Sequence, residues 1–412
     1  MKLGIQIVTY LFIAISFFYS LWLSNLNYKN RNAKIPEEVN DIYDQDEYKR
    51  WHQYYIKNFK FGLVAKTINT LVLLGLLVFG YFPFVGNVVA NITVDLQLQV
   101  VFFLGFYYLV TYIIGIFISY YNTFVIEEEF GFNKTTKKTF FLDRIKQLIL
   151  VSLVVGLIIY GISKIYYTAG NMFFVYSFLA CFLGIIIGMI LYVPVIVPLF
   201  NKLTPLEDGS LKTKIEEFAK SVGYQVNRIS VINASKRSTK LNAYFSGFGK
   251  FKRIVLYDTL IEKCTEEEIV AVLAHEIGHN KYKHMWTGLM QTVIMLAIYL
   301  GLLILLLSYS EFSTAFGFAE TNAGFSVILF MILVSPLLIP VNFIAAYISR
   351  CHEYQADNYA ATNYEPIHIE TALKKLAKEN FSNLTPHPVF VKMYYSHPPT
   401  ANRVRAIRKT KE

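Results

Sequence analysis

The length, composition and charge of the chain argue against several classes of protein. Of its 412 residues, 54% are hydrophobic and 17% are charged, whereas charged residues make up about 25% of ordinary globular domains. This composition disfavours a soluble multidomain protein and a disordered chain, and it favours a protein that has lipid as its solvent. Three widely spaced cysteines, none in a CxxC pair, argue against a disulfide framework and a cysteine-rich zinc site.

Seven stretches of the sequence lack Asp, Glu, Lys and Arg. A transmembrane helix needs about 20 mostly apolar residues, and only the fourth stretch is shorter than that. The first is too long for a signal peptide and has no small-x-small cleavage site after its aromatic residues, so we expect it to stay attached. We therefore predict seven transmembrane helices, at 3–28, 67–94, 96–126, 147–163, 165–201, 284–310 and 321–349.

Lysine and arginine alternate between the connections of these helices. The connections 25–60, 126–146 and 202–283 and the tail 350–412 are rich in them, whereas the other connections hold one or none. Because positive residues mark the cytoplasmic side, we predict that the N-terminus faces outward and that these four segments are cytosolic. The net charge of +10 then reflects topology, and we expect no nucleic-acid partner.

The predicted organisation follows from these segments. Two of the cytosolic segments are large, and because they lie on the same side of the membrane they can form one site. The predicted parts are five helices within 1–201, a polar segment 202–283, two helices within 284–349 and a polar tail 350–412.

The polar segment carries a metal-binding motif. His275-Glu276-x-x-His279 is the HExxH pattern, and a helix places residues i and i+4 about 40° apart on one face. Two imidazoles can then hold one zinc ion, with Glu276 as general base toward water. Thr265 and Glu268 form a predicted capping box at the start of this helix.

The surroundings of the motif predict two further features. The run 253–258 has the pattern of a short strand, and an extended peptide can lie along such a strand. His284 is a tempting extra ligand, but it follows His275 by nine residues, which is about 180° round a helix. We therefore expect His284 to face away and to begin the sixth transmembrane helix.

A zinc peptidase needs a third protein ligand and an open fourth position. Glu353 and Asp357 are spaced i and i+4 on a further predicted helix, so one carboxylate could bind the metal and the other could orient an imidazole N–H. Cys351 and His352 are rival ligands. His352 is displaced by about 100° from Glu353, and only Glu353 has an acidic partner on its own face. A solvated acidic face is the alternative.

Two more polar segments could complete an active site. Asn242 and Ala243 lie shortly before the predicted strand, where an amide could hold a substrate backbone or an oxyanion. His397 and Arg403 flank a rigid proline pair near the C-terminus and could stabilise an oxyanion beside the metal. Ordinary turn residues are the alternative in both places.

Together these motifs resemble those of the type I CAAX prenyl protease family of integral-membrane zinc metalloproteases. The likeness extends from about residue 35 to about residue 405 and, besides HExxH, includes the blocks TFVIEE, FGFNK, FNKLTPL, STKLNAYF, EYQAD, NLTPHP and SHPP. The resemblance implies roles for the matching residues: zinc ligands at His275, His279 and Glu353; general base at Glu276; imidazole orientation by Asp357; substrate binding by Asn242 and Ala243; transition-state stabilisation by His397 and Arg403.

The resemblance also implies a fold and an activity. The fold would be an all-α polytopic membrane protein, with seven helices around a large internal chamber and a gluzincin-type zinc metalloprotease domain on the cytosolic side. Family members remove the last three residues from a farnesylated C-terminal CaaX peptide, with a zinc-activated water as nucleophile. The implied partners are a peptide or protein substrate and membrane lipid. One zinc per chain suits two His and one Glu, although cobalt or manganese could occupy the same ligands.

The residues after the metal motif bear on the source membrane. Asn280 stands where we expect Trp in eukaryotic members, and residues 281–284 resemble those of bacterial relatives. We therefore predict a bacterial inner membrane, with the ER membrane as the location in a eukaryote.

Three other functions compete with this interpretation. A heat-shock-type quality-control metalloprotease with broader substrates also uses HExxH and a downstream Glu, but it typically has fewer membrane helices. A transporter or channel would suit Lys66 at the edge of the second predicted span and the pair Pro336 and Pro340 inside the seventh, yet the ionisable residues concentrate in the two polar segments. An inactive scaffold is disfavoured because every expected catalytic residue is present.

Overall fold

The structure is a computed structural model that describes residues 1–225, 228–246 and 253–410. Within these ranges the chain is mainly helical. Parts of the two predicted polar segments, at 226–227, 247–252 and 411–412, lie outside the described residues. The first half of the chain forms α1 (Lys2–Lys29), α2 (Gln45–Val78), α3 (Tyr81–Ile92), α4 (Leu96–Tyr121), α5 (Lys137–Thr168), α6 (Phe173–Leu191) and α7 (Val197–Phe200).

The second half of the chain contains ten further α-helices in the described residues, and the metal motif lies in the third of them. These helices are α8 (Ser210–Ser221), α9 (Asp258–Lys263), α10 (Glu266–Lys281), α11 (His284–Ser308), α12 (Glu311–Thr314), α13 (Ala323–Leu337), α14 (Ile339–Asn363), α15 (Pro366–Glu379), α16 (Pro388–Tyr394) and α17 (Thr400–Lys409).

Six helices in the described ranges are long and apolar enough to cross a membrane, and the pair α13 and α14 makes a seventh candidate if it counts as one bent span. The two helices of that pair meet at an angle of 63°. Pro336 lies inside α13 and Pro340 in the first turn of α14, and proline removes a helical hydrogen bond and forces a kink. The prediction of a mainly helical polytopic fold is confirmed, and the predicted number of seven membrane helices agrees with the structure when α13 and α14 are counted as one bent span.

The second membrane helix differs from its predicted position. The charge-free run 67–94 is two helices, because α2 ends at Val78 and α3 begins at Tyr81. Gly80 between them has φ +69°, a left-handed conformation that glycine adopts readily. Phe82 of α3 is buried against Phe103 and Phe325, so this short apolar helix packs inside the bundle instead of prolonging the span.

The second membrane helix also begins earlier than its charge-free run, because charged residues do not end a helix. α2 begins at Gln45, inside the predicted 25–60 connection, after a capping box in which Asp44 accepts from backbone N–H groups and Glu47 reaches back. The backbone hydrogen bonds of a helix do not depend on side-chain charge, so the charged residues before position 67 can belong to α2.

An apolar cavity of about 810 Å³ lies between α4, α5, α11 and α13.

A four-stranded sheet lies in the polar segment 202–283. Its strands are β1 (Leu203–Pro205), β2 (Ile229–Ile232), β3 (Ala243–Ser246) and β4 (Arg253–Tyr257), in the spatial order β1-β2-β4-β3. β2 and β4 are parallel, and β3 runs antiparallel to β4 with Ala243 opposite Leu256. The predicted strand at 253–258 is therefore β4. In the part of the sheet that the structure describes, β3 is an edge strand.

One hydrophobic core joins the two polar segments. Ile215, Leu273 and Ile277 from the first segment are buried together with Tyr359 and Ile407 from the second. The predicted 202–283 and 350–412 segments are thus parts of one packed body, which holds the residues of the metal motif between them.

Candidate metal centre

The helix that carries the HExxH motif, α10, crosses α14 at very close range. Gly278 of α10 lies against Ala356 of α14, and a Cβ at Gly278 would be 3.1 Å from the Cα of Ala356 and 3.0 Å from the Cβ of Tyr359. This crossing is the reason that residues far apart in sequence meet. It brings Glu353 of α14 to the face of α10 that carries His275.

His275, His279 and Glu353 form a group of possible metal ligands, with one atom from each within 4.8 Å of the others. The Nε2 atoms of the two imidazoles are 3.1 Å apart. His275 Nε2 is 3.5 Å from Glu353 Oε2, and His279 Nε2 is 3.3 Å from Glu353 Oε1. Glu353 Oε2 is buried and accepts no hydrogen bond from the described residues. Two imidazole nitrogens and a carboxylate with an unsatisfied oxygen fit a divalent cation.

Asp357 lies one turn beyond Glu353 and contacts the other side of His275. Its Oδ1 is 2.9 Å from His275 Nδ1. Arg403 donates to both carboxylate oxygens of Asp357, at 2.7 Å and 2.6 Å, and its Nη1 is 3.4 Å from Glu353 Oε2. When Nδ1–H of His275 donates to Asp357, Nε2 keeps its lone pair for a metal.

Burial by itself lowers the pKa of His275. The interactions of His275 with the carboxylates of Asp357 and Glu353 outweigh burial, however, and raise the pKa of His275 to about 9. A proton and a cation therefore compete for the same imidazole nitrogen, and we expect cation binding to release a proton.

Glu276 is half-buried beside the ligand group. Burial raises the pKa of Glu276, and the positive charges of His275 and His279 partly oppose that rise. A glutamate whose pKa is moved toward neutrality is suited to accept and return a proton.

His397 and Asn242 lie at the opening of the site. Nε2 of the exposed His397 is 3.3 Å from Glu353 Oε1, and its Nδ1 is 2.9 Å from the hydroxyl oxygen of Ser396. His397, Asn242 and Arg403 line one cavity of about 550 Å³. Arg403 is buried and is paired with the carboxylates of Asp357 and Glu353, so its positive charge lies between the ligand group and this cavity. The structure thus brings together the three predicted ligands with Glu276, Asp357, Asn242, His397 and Arg403, whereas Ala243 is the first residue of β3 and does not line this cavity.

Sequence reasoning misplaced His284. The residue does begin α11, but it does not face away, because Lys283 has φ +58° and turns the chain between the two helices. His284 is buried, with Nδ1 2.9 Å from His279 Nδ1 and Nε2 2.8 Å from Gln355 Oε1. This contact holds the second imidazole much as Asp357 holds the first.

The rival ligand His352 stacks on His284, with ring centroids 3.9 Å apart. Neither His352 nor Cys351 belongs to the ligand group found among the described residues. No local sequence signal could have revealed the His284 and Gln355 contacts, since they depend on the turn at Lys283 and on the crossing of α10 and α14.

Comparisons with known proteins agree with this architecture. Residues 25–202 match the family model of the CAAX prenyl protease N-terminal domain with five membrane helices, and residues 205–411 match that of peptidase family M48. A CAAX prenyl protease 1 homolog of Caenorhabditis elegans is 33% identical over 95% of both chains. The CAAX prenyl protease 1 of Saccharomyces cerevisiae is 33% identical over 92% of this chain and 89% of its own. The crystal structure of S. mikatae Ste24p superposes with a TM-score of 0.91, 33% identity and 98% coverage of both chains.

Proposed function

Because this chain belongs to peptidase family M48 and carries the N-terminal membrane domain of CAAX prenyl proteases, we propose that it removes the terminal tripeptide from prenylated CaaX-type substrates. The chain is an integral, multi-pass membrane metallopeptidase. The observation that carries the proposal is the ligand group of His275, His279 and Glu353 next to Glu276, on a helix, α10, that contacts the edge strand β3. The relatives named for CAAX processing cover nearly the whole chain, which supports the substrate class.

The metal we propose is zinc, one ion per chain, held by His275, His279 and Glu353. When bound, zinc supplies a Lewis acid for the scissile carbonyl and lowers the pKa of water. Asp357 holds His275 in the tautomer that leaves Nε2 free, and Arg403 keeps Asp357 ionised and in place.

Glu276 is the general base of the proposed reaction. It takes a proton from the attacking water and returns it to the leaving amine. His397, whose exposed ring reaches Glu353 at the opening of the cavity, stabilises the developing oxyanion together with Arg403.

The substrate backbone lies along β3 in this proposal. An edge strand offers unpaired N–H and C=O groups to an extended peptide. Asn242 and Ala243 stand at the start of β3, and Asn242 also lines the cavity beside His397. The scissile bond would then lie over the ligand group.

We propose that the metal centre lies on the cytosolic side, with the N-terminus outside, because the metal motif lies in a segment rich in lysine and arginine and positive residues mark the cytoplasmic face. From Asn280 we propose a bacterial inner membrane, with the ER membrane as the proposed location in a eukaryotic cell. A chamber between the membrane helices would give water and the prenylated peptide access to the site.

The test uses purified protein in detergent with a farnesylated CaaX peptide and its unprenylated twin. Each peptide is incubated with and without a zinc chelator, and Glu276→Gln serves as the inactive control. We expect chelator-sensitive release of the last three residues from the farnesylated peptide alone. Equal cleavage of both peptides would instead favour a quality-control endopeptidase with broader substrates, and cleavage that survives chelation would refute the metal assignment.

A further inference from the structure

The proposed substrate strand depends on the residues that precede it. In the described part of the sheet, β3 pairs on one side only, with β4. Residues 238–241 lead directly into Asn242 and β3, so their position decides where the strand's free edge lies. The contacts of these residues come largely from membrane helices and from one loop between them, at 127–136.

Lys240 is enclosed by side chains from that loop and from α2. Its Nζ lies 2.7 Å from Glu127 Oε2 and 3.1 Å from the hydroxyl of Tyr54. Tyr54 in turn donates to Glu127 Oε1 at 2.6 Å. The ammonium also lies 4.7 Å from the ring centroid of Phe132. Glu127 retains only 16% of its side-chain exposure, so this is a partly desolvated, charge-assisted pair rather than a surface one.

Backbone hydrogen bonds join the same loop to the same segment. Thr239 donates to the carbonyl of Phe132 at 3.2 Å, and Lys134 donates to that of Arg237 at 3.0 Å. From the other side, the Asn380 side chain at the end of α15 accepts from the N–H of Leu241 and donates to its C=O. The approach to β3 is thus fixed by groups on several elements, with Glu127 as the only acid that pairs with Lys240 among the described residues.

The position of Glu127 in the membrane part is unusual. It is the last residue of a π-helical segment, Asn122–Glu127, that extends α4. A π-helical turn rotates the residues after it relative to a regular helix and occurs often at functional sites. Tyr54 belongs to α2. Two candidate membrane spans therefore converge on one lysine that lies two residues before Asn242.

From this arrangement we propose that Glu127, supported by Tyr54, is a positioning residue for substrate binding: it anchors the edge strand β3 through Lys240. It contacts neither the ligand group nor the proposed path of the substrate, so it acts through the strand alone. The inference rests on the proposed function, since it assigns a cause to the placement of the proposed peptide-binding edge.

The kinetic test compares variants of the full-length protein on the farnesylated CaaX peptide. We expect Glu127→Gln to raise KM about tenfold, as the loss of one charge-assisted hydrogen bond would, with kcat within about twofold and the metal content unchanged. Tyr54→Phe should change KM in the same direction by less. In a double-mutant cycle, Glu127→Gln with Lys240→Met should be no worse than the more severe single variant.

Glu129→Gln is the matched control. Glu129 lies in the same loop, is exposed and pairs with Lys57, so the loss of its charge should leave KM unchanged. Unchanged KM in Glu127→Gln, additive effects in the cycle, or loss of metal from Glu127→Gln would each overturn the inference. If Glu127→Gln fails to fold, Tyr54→Phe and Lys240→Met carry the same comparison.

Hydrogen exchange separates this inference from the proposed function. The amides of residues 238–246 should exchange faster in Glu127→Gln than in the wild-type protein or in Glu129→Gln, whichever peptide the enzyme cleaves. A wild-type protein that cleaves neither peptide counts against the proposed function. Equal exchange of this segment in all three proteins counts against the positioning role.

Discussion

Replacing Gly278 by alanine tests whether the metal centre depends on the close crossing of α10 and α14. The new Cβ would lie 3.0 Å from the Cβ of Tyr359, 3.1 Å from the Cα of Ala356 and 3.3 Å from its carbonyl oxygen. None of these atoms is the end of a flexible side chain. The two helices must therefore separate, and Gly278 stands beside His279 just as Ala356 stands beside Asp357.

The magnitude follows from two opposing terms. Overpacking of this kind costs about 1–3 kcal/mol, whereas alanine gains about 1 kcal/mol over glycine within a helix. The free energy of unfolding should therefore change by no more than about 2 kcal/mol. Separation of the helices moves Glu353 away from both imidazoles, so strain of about 1–3 kcal/mol borne by the metal-bound form would weaken metal affinity roughly 5- to 150-fold.

The assay is a competition titration of metal against a chelator of known affinity, together with thermal unfolding. Gly288→Ala is the control, because a Cβ at Gly288 of α11 meets no atom within 4 Å. Gly278→Ala should lose metal affinity and activity while remaining folded, and Gly288→Ala should retain both. Wild-type affinity in Gly278→Ala would show that the crossing distance does not set the ligand geometry.

Three further predictions concern the ligand group and its base. Glu276→Gln should keep one metal ion per chain and lose about 10²- to 10⁴-fold in kcat; normal turnover in that variant would remove Glu276 as the base. Glu353→Ala should lower the metal content measured by elemental analysis, and full occupancy would redirect attention to His352 or Asp357. Activity should fall as pH decreases through the raised pKa of Glu276, because the base acts in its ionised form, and the fall should begin above the value of about 4.3 of an exposed glutamate. Metal content measured along the same pH series separates this effect from protonation of His275, which releases the metal. A profile that stays flat down to the ordinary glutamate range would contradict the burial argument.

Features specified by nearby residues were predictable from the sequence. The capping box of Thr265 and Glu268 and the strand β4 follow from short patterns, and the structure contains both. The spacing of His275 and His279 requires only that the segment be helical. The length and apolarity of the membrane helices likewise depend on composition within one window.

Features that depend on a backbone reversal or on a long-range contact were not predictable. The left-handed Gly80 divides a charge-free run that composition treats as continuous and so relocates the second span. The left-handed Lys283 turns the chain between α10 and α11 and brings His284 toward His279. The choice between Glu353 and Asp357 as metal ligand had the same origin. Their spacing places both carboxylates on one face of α14. Which carboxylate lies beside His275 Nε2 and which beside Nδ1 depends on where along its length α14 crosses α10.

We expect the bend between α13 and α14 to couple the position of Glu353 to the tilt of a membrane helix. Glu353 lies 14 residues beyond the start of α14 at Ile339, a distance of about 21 Å along a helix that rises 1.5 Å per residue. A tilt of about 3° at the proline bend would displace Glu353 by roughly 1 Å, enough to alter metal coordination. Membrane helices adjust their tilt to the thickness of the lipid around them. A change in the tilt of this membrane helix would therefore move a metal ligand. We expect the rate of peptide hydrolysis to depend on the thickness of the surrounding lipid.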